Sequence, residues 1–464
     1  MIRLLNAHFP TRTLFLGVSE ACLVALAFVV ATIARLGAND ASIMLNYEQG
    51  LLKIIVVSVA FVTCMYYFDL YDSAILSNRR EVVTRLIQVL GAMCILLGFV
   101  YYVYPSLELG RGVFLIGLLL VALLLLLSRR LFLILNTLPQ FAERALILGE
   151  GEFAESLVSE LQLRNELGVR VVGHIKSLEG GSGNRNLAPQ GGEFDEVLHS
   201  IEPYRPDRII VAMEDRRGKL PVEDLLKLKS RGVAIEDGAE VYEAVTGKIP
   251  IRSLRLSWLL FSPGFRVARP LVIYKRICSI IFSAFALILT LPLLILISLA
   301  IRADSVGSVI FQQRRIGKDG KVFTLYKFRS MVNDVDQDAN YRPAGRTDSR
   351  FTRIGRVLRR TRLDELPQLF NILRGDMYFV GPRPFVPDQE YECIQKIPHY
   401  RQRWVVKPGA TGWAQVNRGY NVTIEDNADK LAYDLFYIKN ISIGLDLLIL
   451  FKTAKILLLG RGSQ

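Results

Sequence analysis

Four long apolar runs fill the first third of the chain, near residues 14–36, 51–71, 83–104 and 113–137. Each is long enough to cross a hydrocarbon layer, which takes about 20 helical residues. From Arg144 the pattern shortens: the β-rich runs 145–149, 169–175 and 207–212 alternate with a helical run over 153–163. That alternation is the βαβ rhythm of a parallel sheet. A fifth apolar run covers 277–301, and the remainder is polar and turn-rich until a last apolar stretch, 441–459, interrupted by Asp446, Lys452 and Lys455. The pattern predicts a membrane protein of α plus α/β class in three parts: a four-helix transmembrane bundle (1–140), a Rossmann-like parallel α/β domain (141–262), and a mostly helical unit (263–464) with a re-entrant helix hairpin.

The hairpin expectation rests on three features. Pro292 lies inside the fifth run, where it removes a helix hydrogen bond and disturbs the preceding turn. Lys275 and Arg276 precede the run and Arg302 follows it, so cations mark one face for both ends. The last stretch reads as an interfacial helix, so a true crossing would strand the charged remainder on the far side. A helix entering, bending near Pro292 and returning over about 275–302 fits best; the alternative is a fifth span kinked by proline.

Orientation follows the cations. Arg3 and Arg12 precede the first run, Arg79, Arg80 and Arg85 lie between the second and third, and Arg129, Arg130 and Arg144 surround the end of the fourth. The loops holding Asp40 with Glu48, and Glu108 with Arg111, lack a cationic excess, which predicts a multi-pass membrane protein with both bundle ends on the cytoplasmic face. The first run lacks a small-residue cleavage site followed by a polar start, so it reads as an uncleaved anchor.

The net charge of +13 suits anionic headgroups or a phosphorylated substrate. No helix-turn-helix, zinc-finger or aromatic RNA-binding signature accompanies it, which argues against nucleic acid. The five cysteines are scattered, four of them in separate apolar runs, and read as small apolar fillers.

In the middle part, Gly149-Glu150-Gly151-Glu152-Phe153-Ala154 occupies a strand-to-helix turn that could hold a phosphate. The second strand, however, ends His174-Ile175-Lys176-Ser177, without the acid that holds a ribose hydroxyl. No Tyr-x-x-x-Lys pair follows. A structural or regulatory module is therefore expected, with a working ligand site as the alternative, and His174 and His199 read as ordinary fold or surface residues.

The sharpest chemical signal is Asp364-Glu365, directly behind the run Arg350, Arg353, Arg356, Arg359, Arg360 and Arg362. Paired carboxylates beside concentrated guanidinium suit phosphoryl chemistry: one acid attacks or holds a divalent cation while cations grip phosphate oxygens. A solvated helix start is the plainer reading. The pair is one of five ordered signatures: Phe311-Gln312-Gln313-Arg314-Arg315-Ile316-Gly317, Lys327-Phe328-Arg329-Ser330-Met331, Asp364-Glu365-Leu366-Pro367-Gln368, Gly381-Pro382-Arg383-Pro384 and Lys407-Pro408-Gly409-Ala410-Thr411-Gly412-Trp413. In that order they resemble the bacterial sugar transferase family of monotopic polyprenyl-phosphate phosphoglycosyl transferases, and the four apolar runs and sheet domain ahead of them resemble its large members, which initiate exopolysaccharide, capsule or O-antigen synthesis.

The resemblance implies transfer of a hexose-1-phosphate from a UDP-sugar to undecaprenyl phosphate with Mg2+, releasing UMP, by a homodimer in a bacterial inner membrane. It assigns Asp364 as nucleophile and magnesium ligand, Glu365 as its partner, Arg315, Lys327, Arg329 and Arg383 to phosphate, and Pro382 and Pro384 to a rigid edge near the uridine. Residues 407–413 are expected to be a structural turn. Two departures stand out: Ser279 where relatives often carry the acid of Lys-Arg-x-x-Asp, and Leu291 rather than serine before Pro292. Thr290 is expected to return its hydroxyl to a carbonyl freed by the bend. Rival readings are a nucleotide-sugar dehydratase or oxidoreductase using the middle part, and an inactive scaffold of a polysaccharide system.

Overall fold

The computed structural model describes residues 2–4, 6–47, 49–76, 79–138, 142–164, 167–176, 201–213, 220–251, 258, 261–262, 264–265, 268–332, 350–418 and 423–458. Ser177, His199 and Pro263 lie outside them. The chain forms two compact units, one comprising Met1–Ile2 and Phe9–Gly238, the other Arg3–His8 and Ala239–Gln464. A short ribbon, β1 (Ile2–Leu4) with β2 (Ala7–Phe9), opens the chain.

In the first unit the apolar runs become α1 (Thr11–Leu36), α3 (Gly50–Tyr67), α5 (Arg79–Val103) and α6 (Arg111–Thr137). Two shorter helices, α2 (Ala38–Tyr47) and α4 (Ser73–Leu76), fill connections that the hydrophobic pattern leaves open. Val24, Phe28, Phe61, Met65, Met93, Val121 and Leu125 form a shared core, while apolar side chains such as Phe15, Ile95 and Leu119 face outward. Apolar surface on both sides of a helix matches burial by lipid rather than by water. Within this core Arg129 grips Glu20 bidentately, Nε to Oε1 at 2.8 Å and Nη2 to Oε2 at 2.9 Å, and also donates to the Leu70 carbonyl.

The same unit carries a parallel sheet in the order β4-β3-β5-β6, built from β3 (Glu143–Leu148), β4 (Val169–Ile175), β5 (Arg208–Val211) and β6 (Ala234–Asp237). Helices α7 (Glu152–Leu163) and α8 (Val222–Ser230) accompany it, and Leu146, Leu148, Ile209, Val211, Leu225 and Leu228 pack into one core. The parallel α/β expectation is met. His174 is a fold residue: its Nε2 lies 2.7 Å from the Gly149 carbonyl, bracing the glycine turn.

From Ala239 onward the second unit carries α9 (Gly238–Thr246), whose first residue ends the first unit, and the 36-residue α10 (Arg269–Asp304), which contains Pro292. With four helices of the first unit, α10 makes five among the described residues that are long and apolar enough to cross a membrane. Its ends are both tied to the polar part of its own unit. Near the start, Arg276 donates to the carbonyls of Ile372 (2.9 Å) and Leu373 (2.8 Å). Near the finish, Ile297 and Ile301 join a core with Phe328 and Leu358, against which Leu363 and Leu366 pack. Thr290 Oγ1 donates to the Ala286 carbonyl at 2.7 Å. The carbonyl deprived of its donor by Pro292 is that of Ile288, four residues back, so the Thr290 bond closes its own turn instead of repairing the break.

Beyond α10 lie the antiparallel hairpin β7 (Ile310–Ile316) and β8 (Val322–Phe328), then α11 (Arg353–Thr361), α12 (Gln368–Arg374), β9 (Tyr378–Val380), α13 (Pro387–Lys396), β10 (Gly409–Thr411), α14 (Trp413–Asn417), α15 (Ile424–Lys439) and α16 (Ile443–Leu458). Strands β9 and β10 pair in parallel. The turn 407–413 is structural in its packing: Trp413 is buried, stacks on Phe436 with ring centroids 5.5 Å apart, and donates through Nε1 to the Gly247 carbonyl at 2.9 Å.

Candidate active site

The acidic pair sits on a turn that the local sequence dictates. Thr352 caps α11, its Oγ1 accepting from the Gly355 amide at 2.8 Å. The helix ends where Arg362 adopts the left-handed conformation (φ 56°), an uncommon geometry for a residue with a Cβ. The chain then makes a 3-10 turn, Leu363–Glu365, before α12. Leu363 and Leu366 turn toward the apolar core, which leaves Asp364 and Glu365 on the inner polar side.

The two acids meet different surroundings. Glu365 Oε1 accepts from Arg383 Nη2 at 3.1 Å and lies 3.7 Å from Lys327 Nζ. Burial alone would push the Glu365 carboxyl up, but Arg383, Lys327 and Arg362 outweigh it and hold its pKa at about 2. Asp364 is 8% exposed and, among the described residues, forms neither a hydrogen bond nor an ion pair. Burial raises its pKa, the pull of Lys327 opposes the shift, and the charge of Glu365 adds to it. Lys327 is lowered, first by burial and then by Arg383 and Arg315, with Glu365 and Asp364 pulling the other way.

Arg383 stands on an irregular edge whose carbonyls are individually held. Lys275 Nζ reaches the Val380 carbonyl at 3.2 Å, the Gly409 amide donates to Pro382 at 3.0 Å, Arg403 Nη2 to Arg383 at 2.9 Å, Arg315 Nη1 to Pro384 at 3.0 Å, and the Ile316 amide to Phe385 at 3.2 Å. Two prolines and this set of anchors leave the segment little freedom, which suits a preorganised phosphate-binding edge.

Of the residues singled out in the sequence, Asp364, Glu365, Lys327 and Arg383 come together as one cluster. Arg315 lies beside it, bonding Pro384 and, at 2.6 Å, Gln313 Oε1. Arg329 is buried and occupied elsewhere: its guanidinium donates to the Val306 carbonyl at 3.0 Å and to the Ser305 carbonyl at 2.7 Å, bracing the turn after α10. Pro382 and Pro384 flank Arg383, and Pro292 lies in the apolar middle of α10.

Sequence reasoning missed the supports behind the edge. Arg403 lies buried between Glu390 Oε1 (3.1 Å) and Asp434 Oδ2 (2.9 Å), with Tyr400 Oη at 2.6 Å. Burial lifts the Asp434 carboxyl to about 6 against the pull of Arg403. The missing acid of Lys-Arg-x-x-Asp also has a substitute, because Lys275 pairs with Asp446 of α16 at 2.7 Å. Charges inside otherwise apolar or aromatic stretches were the available signal; which partner each meets is a tertiary property.

For a divalent cation, the accessible donor is Asp364, since Glu365 is committed to two cations. Among the described residues no three His, Cys, Asp or Glu side chains converge. That donor set fits Mg2+, which takes one or two carboxylates and relies on substrate phosphates, rather than a metal needing a full protein cage.

The Bacterial sugar transferase model matches residues 271–460, and a CoA-binding domain model matches residues 66–231. The undecaprenyl-phosphate galactose phosphotransferase of Salmonella typhimurium (strain LT2) is 31% identical over 350 residues, 71% of each chain. The undecaprenyl-phosphate glucose phosphotransferase of Komagataeibacter xylinus is 35% identical over 333 residues, 68% of this chain and 59% of the relative. The UDP-N-acetylgalactosamine-undecaprenyl-phosphate N-acetylgalactosaminephosphotransferase of Aeromonas hydrophila is 40% identical over 229 residues, 48% of this chain and 52% of the relative. Against the last two, the matched region spans only about half to three-fifths of the relative's length. With the acidic pair, the cationic edge and the Salmonella relative matched over 71% of its length, the chain belongs to the bacterial sugar transferase family.

Proposed function

We propose that this protein transfers a hexose-1-phosphate from a UDP-sugar to undecaprenyl phosphate, the first membrane step of a surface polysaccharide. The observation that carries the reading is the division between the acids: Glu365 is fixed as a charged partner of Arg383 and Lys327, while Asp364 keeps an uncommitted carboxylate beside them. Asp364 Oδ attacks the β-phosphorus of the UDP-sugar, the bond to the bridging oxygen breaks, and UMP leaves with that electron pair. An oxygen of undecaprenyl phosphate then attacks the same phosphorus and releases Asp364. Arg383 and Lys327 offset charge on the phosphoryl oxygens. Bound Mg2+ would supply charge neutralisation at the diphosphate, held by Asp364.

For the membrane arrangement, the reading is four spans from α1, α3, α5 and α6, with α10 re-entrant and the site on the cytoplasmic face. In a straight helix Arg276 and Ile297 would stand about 32 Å apart at 1.5 Å per residue. Their partners, Ile372 and the core next to Leu366, are separated by less than two helical turns of chain, which supports a bend at Pro292.

The test is UMP release by nanodisc-held protein with undecaprenyl phosphate and Mg2+ across a panel of UDP-sugars, with Asp364→Asn alongside. Release with one sugar, lost in the variant, is expected; folded wild-type protein silent across the panel would remove the proposal, and turnover surviving in the variant would remove Asp364 as nucleophile.

A further inference from the structure

One buried group lies outside the reacting cluster and is more completely satisfied than packing alone requires. Lys275, at the root of α10, is 6% exposed, and its ammonium meets three acceptors: Asp446 Oδ2 at 2.7 Å, Tyr437 Oη at 2.6 Å and the Val380 carbonyl at 3.2 Å. An ammonium has three N–H bonds, so each finds a partner. Tyr437 accepts from Lys275 and directs its own O–H at Asp446 Oδ1, 2.7 Å away, with the Val380 carbonyl 3.2 Å from the same hydroxyl. The rings of Tyr378 and Tyr437 lie 5.4 and 5.3 Å from the nitrogen.

A buried ion pair is weak support for stability, because apolar residues of similar volume commonly do as well. What apolar replacement of Lys275 and Tyr437 could not do is hold the Val380 carbonyl, which both side chains meet at 3.2 Å and which belongs to the last residue of β9, the first anchor of the edge that carries Arg383. Four elements meet at this point: the membrane helix α10, β9, α15 and α16.

We infer that Lys275, Tyr437 and Asp446 are positioning residues that fix the Gly381-Pro382-Arg383-Pro384 edge to the root of the membrane helix. The acceptor phosphate of the proposed reaction is delivered from the bilayer, so the reacting acids must be held at one height relative to the helix that enters it. The inference rests on the proposed transferase reading for its kinetic consequence, but not for its structural one. A displacement of about 1 Å in a catalytic group can lower a rate about 100-fold.

Three variants test it: Tyr437→Phe, the pair Lys275→Met with Asp446→Leu, which removes both charges together, and Lys275→Arg, which keeps the donors. In the UMP assay, Tyr437→Phe and the paired variant are expected to lower kcat by about 10- to 100-fold with KM for the UDP-sugar within about threefold, and Lys275→Arg to recover part of the loss. Amide hydrogen exchange is read on the same proteins. The Gly381 amide, bonded to the Thr411 carbonyl at 2.9 Å, should exchange at least about tenfold faster in the first two variants, with amides of α15 unchanged. Wild-type turnover in the paired variant, or unchanged exchange at Gly381 in Tyr437→Phe, overturns the inference. A wild-type protein that releases no UMP counts against the transferase reading alone, and the exchange result still decides the positioning role.

Discussion

Arg383 Nη2 lies 3.1 Å from Glu365 Oε1, and this contact separates two acids that are neighbours in the chain. Glu365 becomes a fixed anion with a pKa of about 2, whereas burial raises Asp364. Adjacent titratable groups driven in opposite directions are what distinct chemical roles require.

The separation predicts an unusual pH response. Glu365→Gln removes the like charge that raises Asp364, so the acid limb of kcat/KM, which reports loss of the Asp364 carboxylate, moves to lower pH. It also removes the anion that supports protonated Lys327, so the alkaline limb moves to lower pH as well. A shift of the whole profile in one direction, at a rate reduced about 100-fold, is expected from UMP release measured across pH. Limbs moving apart would contradict it.

Asp434 predicts a slope in stability. Its carboxyl is raised from the ordinary 3.8 to about 6, so the folded state holds a proton that the unfolded chain releases first. This contribution is fully present below about pH 4 and is lost as pH rises through about 6. Unfolding midpoints of wild type and Asp434→Asn, compared from pH 4 to 7, should show the wild type losing ground over that window. A constant difference would mean that Asp434 stays ionised beside Arg403.

The proposed bend in α10 predicts sidedness. Arg269 and Arg302 are exposed near its two ends. After replacement of the five native cysteines, Arg269→Cys and Arg302→Cys should both react with an impermeant maleimide from the cytoplasmic side and neither from the other. Labelling from opposite sides would make α10 a fifth span.

The Glu20–Arg129 pair predicts coupling between α1 and α6. Glu20→Gln or Arg129→Met alone leaves an uncompensated charge in an apolar core, and each is expected to destabilise the protein by about 3–5 kcal/mol. The double variant should recover most of that in detergent unfolding. Additive losses would show that the two side chains act independently.

Much of this was readable in one dimension. Apolar runs of spanning length became α1, α3, α5, α6 and α10, and the strands near 145–149, 169–175 and 207–212 emerged as a parallel sheet, because hydrophobic period and run length are local properties. Helix α2 and strand β6 were less legible: each is short, and neighbouring structure rather than local pattern stabilises it.

The sequence by itself determined the alternation of apolar and polar segments, the acidic pair and the rigid Pro382-Arg383-Pro384 edge, since these depend on side-chain chemistry and fixed spacing. The tertiary structure alone decided that Arg383 meets Glu365, that Arg329 braces a turn after α10, and that Asp446, 171 positions after Lys275 in the numbering, supplies its acid. Coulombic and hydrogen-bond energies depend on distances of a few ångströms between residues far apart in the chain, and only packing of the whole unit fixes those distances.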